Sequence, residues 1–281
     1  MTSRLRIQHQ TGYRYDSSVP SSYNEVRVTP MTTPEQTALR TRLEVRPGPW
    51  QHVYHDYWGS QVTAFEVHEP HTELHVVATS TVEVDRPQVD PPGGAWELLR
   101  EPKVLDDLVE QLSLAPATRP PADLAEQARA IATAASTPDA AALEICQLVH
   151  REVEYVTGST DVHTRAADAW TARRGVCQDM ANLALGALRS VGIPARYVSG
   201  YLHPDPAAPV GVTVTGESHA WVEWWTGDWY GYDVTNDLLP GDRHVIVARG
   251  RDYGDVPPLK GIYAGQAAST MHVKVDITRL A

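Results

Sequence analysis

Only two cysteines, Cys146 and Cys177, occur in 281 residues. A single well-separated pair is no disulfide framework, so the stability of this chain must come from core burial. Positive charge is also scarce: 24 Lys and Arg stand against 35 Asp and Glu, for a formal net charge of −11. Proteins that hold a phosphate backbone neutralise it with Lys and Arg, so this balance argues against a nucleic-acid partner. No apolar run reaches the roughly 18 residues that span a bilayer, which argues against a membrane partner. The opening segment, Met1 to His9, turns polar before an apolar leader core of roughly 7–15 residues can form, so a cytoplasmic location is expected. Internal repeats and low-complexity tracts are lacking too.

What is present is the composition of a folded protein, 42% hydrophobic and 21% charged, with eight Trp and twelve Tyr. From Leu5 to about Asp85, short runs rich in Val, Tyr, Thr and Leu are broken by Pro, Gly and Ser. Alternation is clearest from Thr72 to Val84. This text reads as an antiparallel β domain over residues 1–86, ended by the Pro- and Gly-rich stretch Arg86 to Gly94. Residues 87–281 form the second part. Helical spacing runs from Pro121 through Ala134 and from Pro138 through Val153. A further helix opens near Cys177, with Met180, Leu183, Ala184, Ala187, Leu188 and Val191 on its apolar face and Gly192-Ile193-Pro194 as its stop. Strand-like text follows at Ala195 to Leu202, Glu217 to Trp225, Trp229 to Val234, His244 to Arg249 and Met271 to Ile277. The fold class expected is α+β, an N-terminal antiparallel β domain followed by helices packed on an antiparallel sheet.

The two cysteines differ in company. Cys146 sits inside an apolar helical stretch and reads as a packed, inert thiol. Cys177 falls in the first turn of its helix, where a thiolate is favoured, and a neighbouring imidazolium would favour it further. Gly175 just upstream would permit a tight turn that leaves backbone N–H groups, Cys177's own among them, facing an oxyanion. Of twelve histidines, His219 stands out because Glu217 to Trp224 reads as a strand, which holds a ring better than a loop does. If Thr226-Gly227-Asp228 is a three-residue hairpin loop, Trp225 faces Trp229 and His219 faces Thr235. Asp233 then lies one diagonal away on the same face, within side-chain reach of His219. A two-residue loop would put Asp233 on the opposite face.

Four segments, in order, carry a resemblance: Gly175-Val176-Cys177-Gln178-Asp179, Gly192 through Tyr201, Ser218-His219-Ala220-Trp221 and Tyr232-Asp233-Val234-Thr235. Together they resemble the bacterial transglutaminase-like proteins. His244-Val245 with Gly250 through Pro258 looks like that family's C-terminal signature, and His9 through Tyr15 like the start of its companion β domain. The resemblance implies a papain-like α+β core with Cys177 as nucleophile, His219 as base and Asp233 as the orienting carboxylate. A protein or peptide substrate bordered by Trp221 and Gln178 is expected, with neither cofactor nor metal. The segment Asp179-Met180-Ala181-Asn182 departs from the family pattern without touching the triad.

Blander readings stand beside these. Asp179, two residues after the cysteine, suits a helix N-terminus or a neighbouring arginine. Asp252 and Asp255 suit turns. The segment from Leu202 through Gly216 is turn-rich and is expected to form a flap beside the site. Three rivals to hydrolysis or transfer at an amide are an inactive binding module on the same fold, a zinc site of Cys177, His219 and Asp233, and an acyl-CoA-dependent acyltransferase.

Overall fold

In the computed structural model, which describes residues 2–48, 50–162 and 164–281, side-chain alternation builds the N-terminal strands. Along β1 (Ser3–Val19), Ser3, Leu5, Ile7, His9 and Thr11 are buried while the residues between them are exposed or half-buried, the period of two that a one-sided sheet demands. Five more strands follow: β2 (Ser22–Val26), β3 (Gln36–Arg46), β4 (Trp50–His55), β5 (Gln61–Val67) and β6 (His71–Val84). The last contains the alternation seen in the sequence.

Short helices α1 (Pro102–Asp107) and α2 (Val109–Leu112) precede α3 (Ala122–Ala134) and α4 (Pro138–Glu152). Helix α4 starts where Pro138 takes the first helical position and the Thr137 hydroxyl accepts the Ala140 N–H at 3.2 Å. Next come β7 (Glu154–Tyr155), α5 (Ala166–Ala172), β8 (Arg174–Gly175) and α6 (Cys177–Ser190), with β7 and β8 paired in parallel. The chain finishes in β9 (Ala195–Leu202), β10 (Thr213–Trp225), β11 (Trp229–Tyr232), β12 (His244–Gly250), β13 (Leu259–Tyr263) and β14 (Ser269–Arg279). The architecture is α+β.

The larger sheet runs β12-β9-β10-β14-β1-β6-β3 with β11 joined to β10, and a second sheet runs β13-β2-β5-β4. The last two strands therefore return to the first two: β14 lies between β10 and β1, and β13 pairs with β2. One sheet thus carries strands from both ends of the chain past the N-terminus of α6.

Helix α6 lies in the main core, with Leu183, Ala184, Leu185 and Leu188 fully buried in one cluster with α4's Ile145 and Cys146 and with Leu5, Ile7 and Ile277 of the sheet. Each such Leu or Ile contributes about 1.5–3 kcal/mol when taken from water. Cys146 is the packed thiol its context suggests. A second core, with Tyr15, Phe65, Leu74 and Leu259, is built from strands of both sheets. Two buried carboxylates tie the layers. Asp139 of α4 accepts from Trp224 Nε1 and Thr226 Oγ1, both at 2.7 Å, and from the Gly94 N–H at 2.6 Å. Glu223 of β10 is paired with Arg196 and Arg249; burial alone would raise it, but the two guanidiniums hold it down at about 2. Among the described residues no helix is long and apolar enough to cross a membrane.

The flap expectation is overturned. Residues 213–216 extend β10 and pair with β14, the Gly211 N–H bonds the Arg279 carbonyl at 2.8 Å, and none of residues 203–215 lines the cavity at Cys177. Turn-forming residues between 203 and 212 hid the strand that starts at Thr213.

Gly200 in β9 lies opposite His219, and a methyl group there would sit 2.0 Å from the Val245 carbonyl oxygen and 2.7 Å from the Trp221 ring. Gly200→Ala is therefore expected to destabilise the protein by about 1–3 kcal/mol or more, read by urea unfolding. An unchanged midpoint would contradict this packing.

Candidate active site

Cys177 is the first residue of α6 and is half-buried. Its position follows from the turn before it. Helix α5 ends at Arg173 in the left-handed region (φ 52), Val176 is extended, and Asp179 reaches back to accept the Val176 N–H at 2.8 Å. Asp179 also takes the Thr160 hydroxyl at 2.5 Å and is wholly buried. Burial raises its carboxyl, opposed by these two donors. Gly175 does not make a turn: it lies in β8, and a Cβ there would meet the Asp179 side chain at 2.8 Å. The glycine leaves room for the carboxylate that organises the helix start.

His219 lies mid-strand in β10, and its Nε2 is 2.7 Å from Asp233 Oδ2. The hairpin has the expected three-residue loop, with Trp225 opposite Trp229, but the ladder ends at Val222 and Tyr232, so the expected pairing of His219 with Thr235 does not form. Strand β11 stops at Tyr232, and Asp233 turns away to bridge Leu238. With Nε2 committed to Asp233, the other ring nitrogen is left for Cys177, which lines the same cavity. Burial opposes a charge on this ring, but Asp233 and Cys177 outweigh it and push His219 up to about 10.

Asp233 is the most heavily bonded group of the site. Oδ1 accepts the backbone N–H of Thr235 at 3.1 Å and of Asn236 at 3.2 Å, an Asx-type turn. Oδ2 accepts from His219, from Asn236 Nδ2 at 2.8 Å and from His244 Nε2 at 3.1 Å. Burial favours a neutral Asp233, yet the two histidines hold it well below the usual carboxylate range. His244 is 1% exposed and its Nδ1 accepts the Gly241 N–H at 3.2 Å, so its proton is on Nε2 and the ring is neutral. Burial pushes its pKa down, against the pull of Asp233.

A cavity of about 230 Å³ opens beside Cys177 and His219, lined also by Gln178, Tyr197, Ser199 and Tyr253. Gln178 is buried and donates Nε2 to the Val162 carbonyl at 3.3 Å. Trp221, expected at the substrate, is instead outside the cavity wall. It lies two residues along the same face of β10, 1% exposed, packed on Val198 and Ile246 and edge-on to His244 with ring centres 5.4 Å apart. It backs the histidines. Asp252 caps the Gly254 N–H at 2.8 Å, and Asp255 pairs with Arg251, as turn chemistry suggests.

Ligand-type atoms of His219, Asp233 and His244 lie within 4.8 Å of one another. Both ring nitrogens here already bond the same carboxylate oxygen, and His244 presents a proton there rather than a lone pair. The donor set is a hydrogen-bonded network, and Cys177 stands outside that group. Sequence reading assigned no role to His244 or Asn236. The Asx-turn spacing from Asp233 to Asn236 could have shown the latter, and the C-terminal signature marks the former's segment without naming its partner.

Residues 5–83 match the family model of the bacterial transglutaminase-like N-terminal region, and residues 125–234 match that of the transglutaminase-like superfamily. An uncharacterised protein of Mycobacterium leprae (strain TN) is 44% identical over 278 residues, 99% of each chain. An uncharacterised protein of Mycobacterium tuberculosis (strain ATCC 25618 / H37Rv) is 35% identical over 300 residues, 98% of this chain and 93% of its own. A crystal structure from Cytophaga hutchinsonii described as a "Putative Cysteine Protease" matches with a TM-score of 0.76 at 23% identity, covering 99% of this chain and 98% of that one. That last likeness is one of fold.

The raised His219 and lowered Asp233 set a pH window. A raised histidine stabilises fully below its unfolded value of about 6.5 and loses that contribution toward 10; a lowered carboxylate contributes above about 3.9 and is lost below it. The stability gap between wild type and Asp233→Asn is expected to be widest between about pH 4 and 6.5 and to narrow toward pH 10. Urea unfolding across that range checks it; a gap that widens with rising pH contradicts it.

Proposed function

The chain belongs to the bacterial transglutaminase-like superfamily, and from that premise we propose that it catalyses thiol-dependent acyl transfer from an amide of a protein or peptide, with Cys177, His219 and Asp233 as the triad. The observation that carries this reading is one ring, His219, bonded through Nε2 to a buried carboxylate and sharing a cavity with the half-buried Cys177 thiol.

In the proposed reaction His219 already holds the proton taken from Cys177, and the sulfur attacks the amide carbonyl. Asp233 holds the imidazole in place and balances its charge. The N–H of Cys177, at the start of α6, faces the developing oxyanion. His219 returns the proton to the departing amine, leaving a thioester on Cys177. An acceptor deprotonated by His219 then releases the acyl group. Water as acceptor gives a peptidase or amidase, and a primary amine gives transamidation. We favour water, in keeping with the description of the Cytophaga hutchinsonii neighbour.

Cys146 is a built-in control, because burial pushes its thiol well up and leaves it 0% exposed. In native protein at about pH 6, where an ordinary thiol is protonated, iodoacetamide is expected to label Cys177 at least about 100-fold faster than Cys146. His219→Ala should remove most of that lead. Equal, slow labelling of both cysteines by mass spectrometry would sink the enzyme reading. For the acceptor, Cys177-dependent incorporation of biotinylated pentylamine into casein that outpaces casein cleavage would replace hydrolysis with transamidation.

A further inference from the structure

The cavity beside Cys177 has a wall from the other end of the chain. His9 and Thr11 of β1 line it, together with Met271 and Val273 of β14. They share one face of β1 with Leu5 and Ile7, which lie in the main core. That face is apolar where it meets the helices and becomes polar where it meets the cavity. On β14 the register pairs His9 with Val275, a core residue, and Thr11 with Val273, a cavity residue.

Both polar side chains are only 1% exposed, and each keeps an unpartnered atom, His9 Nε2 and Thr11 Oγ1. Buried polar groups are nearly always paired, and orphaned ones disfavour folding, so two in one cavity wall require a reason other than stability. His9 is fixed from behind. Its Nδ1 is 2.8 Å from the Tyr201 hydroxyl, whose own proton is directed to the Val28 carbonyl at 3.4 Å. His9 Nδ1 is then the donor and Nε2 a free acceptor. Burial lowers His9 to about 4, so the ring stays neutral near pH 7. Among the described residues, no Asp, Glu, Lys or Arg lines this cavity.

We infer that His9 and Thr11 form a recognition subsite beside Cys177 for an uncharged substrate side chain that both donates and accepts hydrogen bonds, a carboxamide or a hydroxyl. The inference rests on the proposed acyl transfer and gives the N-terminal β strands a part in it. An acceptor nitrogen next to a hydroxyl complements such a group. A charged side chain would be desolvated there with no Asp, Glu, Lys or Arg in the wall and with His219 already matched by Asp233, and an aliphatic one would leave both wall atoms orphaned.

The test uses peptidyl acyloxymethyl ketones that differ only in the side chain beside the reactive ketone: Asn, its near-isosteres Leu and Asp, and Lys. Labelling of Cys177 is followed by mass spectrometry, and each rate is divided by the same variant's iodoacetamide rate. Wild type is expected to favour Asn over Leu by about tenfold or more, and over Asp and Lys by a wider margin. Thr11→Val keeps the shape of Thr11 and removes an unpartnered hydroxyl, so it should fold as stably as wild type. It should cut the Asn-to-Leu ratio about tenfold, the size of one net hydrogen bond. Thr11→Ser should restore it. An Asn-to-Leu ratio untouched by Thr11→Val, or faster labelling of wild type by the Asp or Lys probe, overturns the subsite while leaving the triad intact. Iodoacetamide labelling of wild-type Cys177 no faster than that of Cys146 overturns the triad reading and the subsite with it.

Discussion

A single buried carboxylate oxygen, Asp233 Oδ2, serves two imidazoles at once, and the site depends on its treating them differently. His219 approaches at 2.7 Å and His244 at 3.1 Å. Two charged rings beside one carboxylate in a dry interior would repel each other. The Gly241 N–H settles the matter by occupying His244 Nδ1, which leaves a neutral ring with its proton aimed at Asp233. The carboxylate's charge is then matched by His219 alone. His219 accordingly rises while His244 falls, although both rings are nearly buried.

The rest of the fold serves that arrangement. Asp233 must leave β11 immediately after Tyr232, and the Asx turn to Thr235 and Asn236 holds it there. His244 arrives because β12 pairs with β9, whose Gly200 has no side chain to hold the Val245 carbonyl and Trp221 ring away. Trp221 packs behind both rings. Cys177 is delivered independently by α6, a helix buried along most of its length, whose start is organised by Asp179 in the space Gly175 leaves open. Strand β14, between β10 and β1, brings His9 and Thr11 to the same cavity.

Much of this was legible in the sequence because it rests on local periodicity. The apolar spacing from Met180 to Val191 marks α6 and so places Cys177 at its start, and the three-residue hairpin loop brings the end of β11, just before Asp233, alongside β10. What was not legible depends on partners distant in the chain. Strand text does not name its neighbours, so β14 beside β1 and His244 beside Asp233 could not be read from either segment. Gly175 looked like a turn because glycine's absent side chain serves a turn and a close approach equally well. Trp221 looked like a substrate contact because nothing local shows that Val198 and Ile246 cover it. The stretch before His219 looked like a loop because its prolines and glycines lie just ahead of the residues that pair with β14.

The most direct measurement is of ring-nitrogen chemical shifts for ¹⁵N-labelled histidines near pH 7.5, assigned with His219→Gln and His244→Gln. The expected spectrum has His244 neutral and protonated at Nε2, and His219 carrying protons on both nitrogens until well above neutral pH. A charged or Nδ1-protonated His244, or a His219 that is neutral at pH 7.5, would contradict the division of roles on which the site depends.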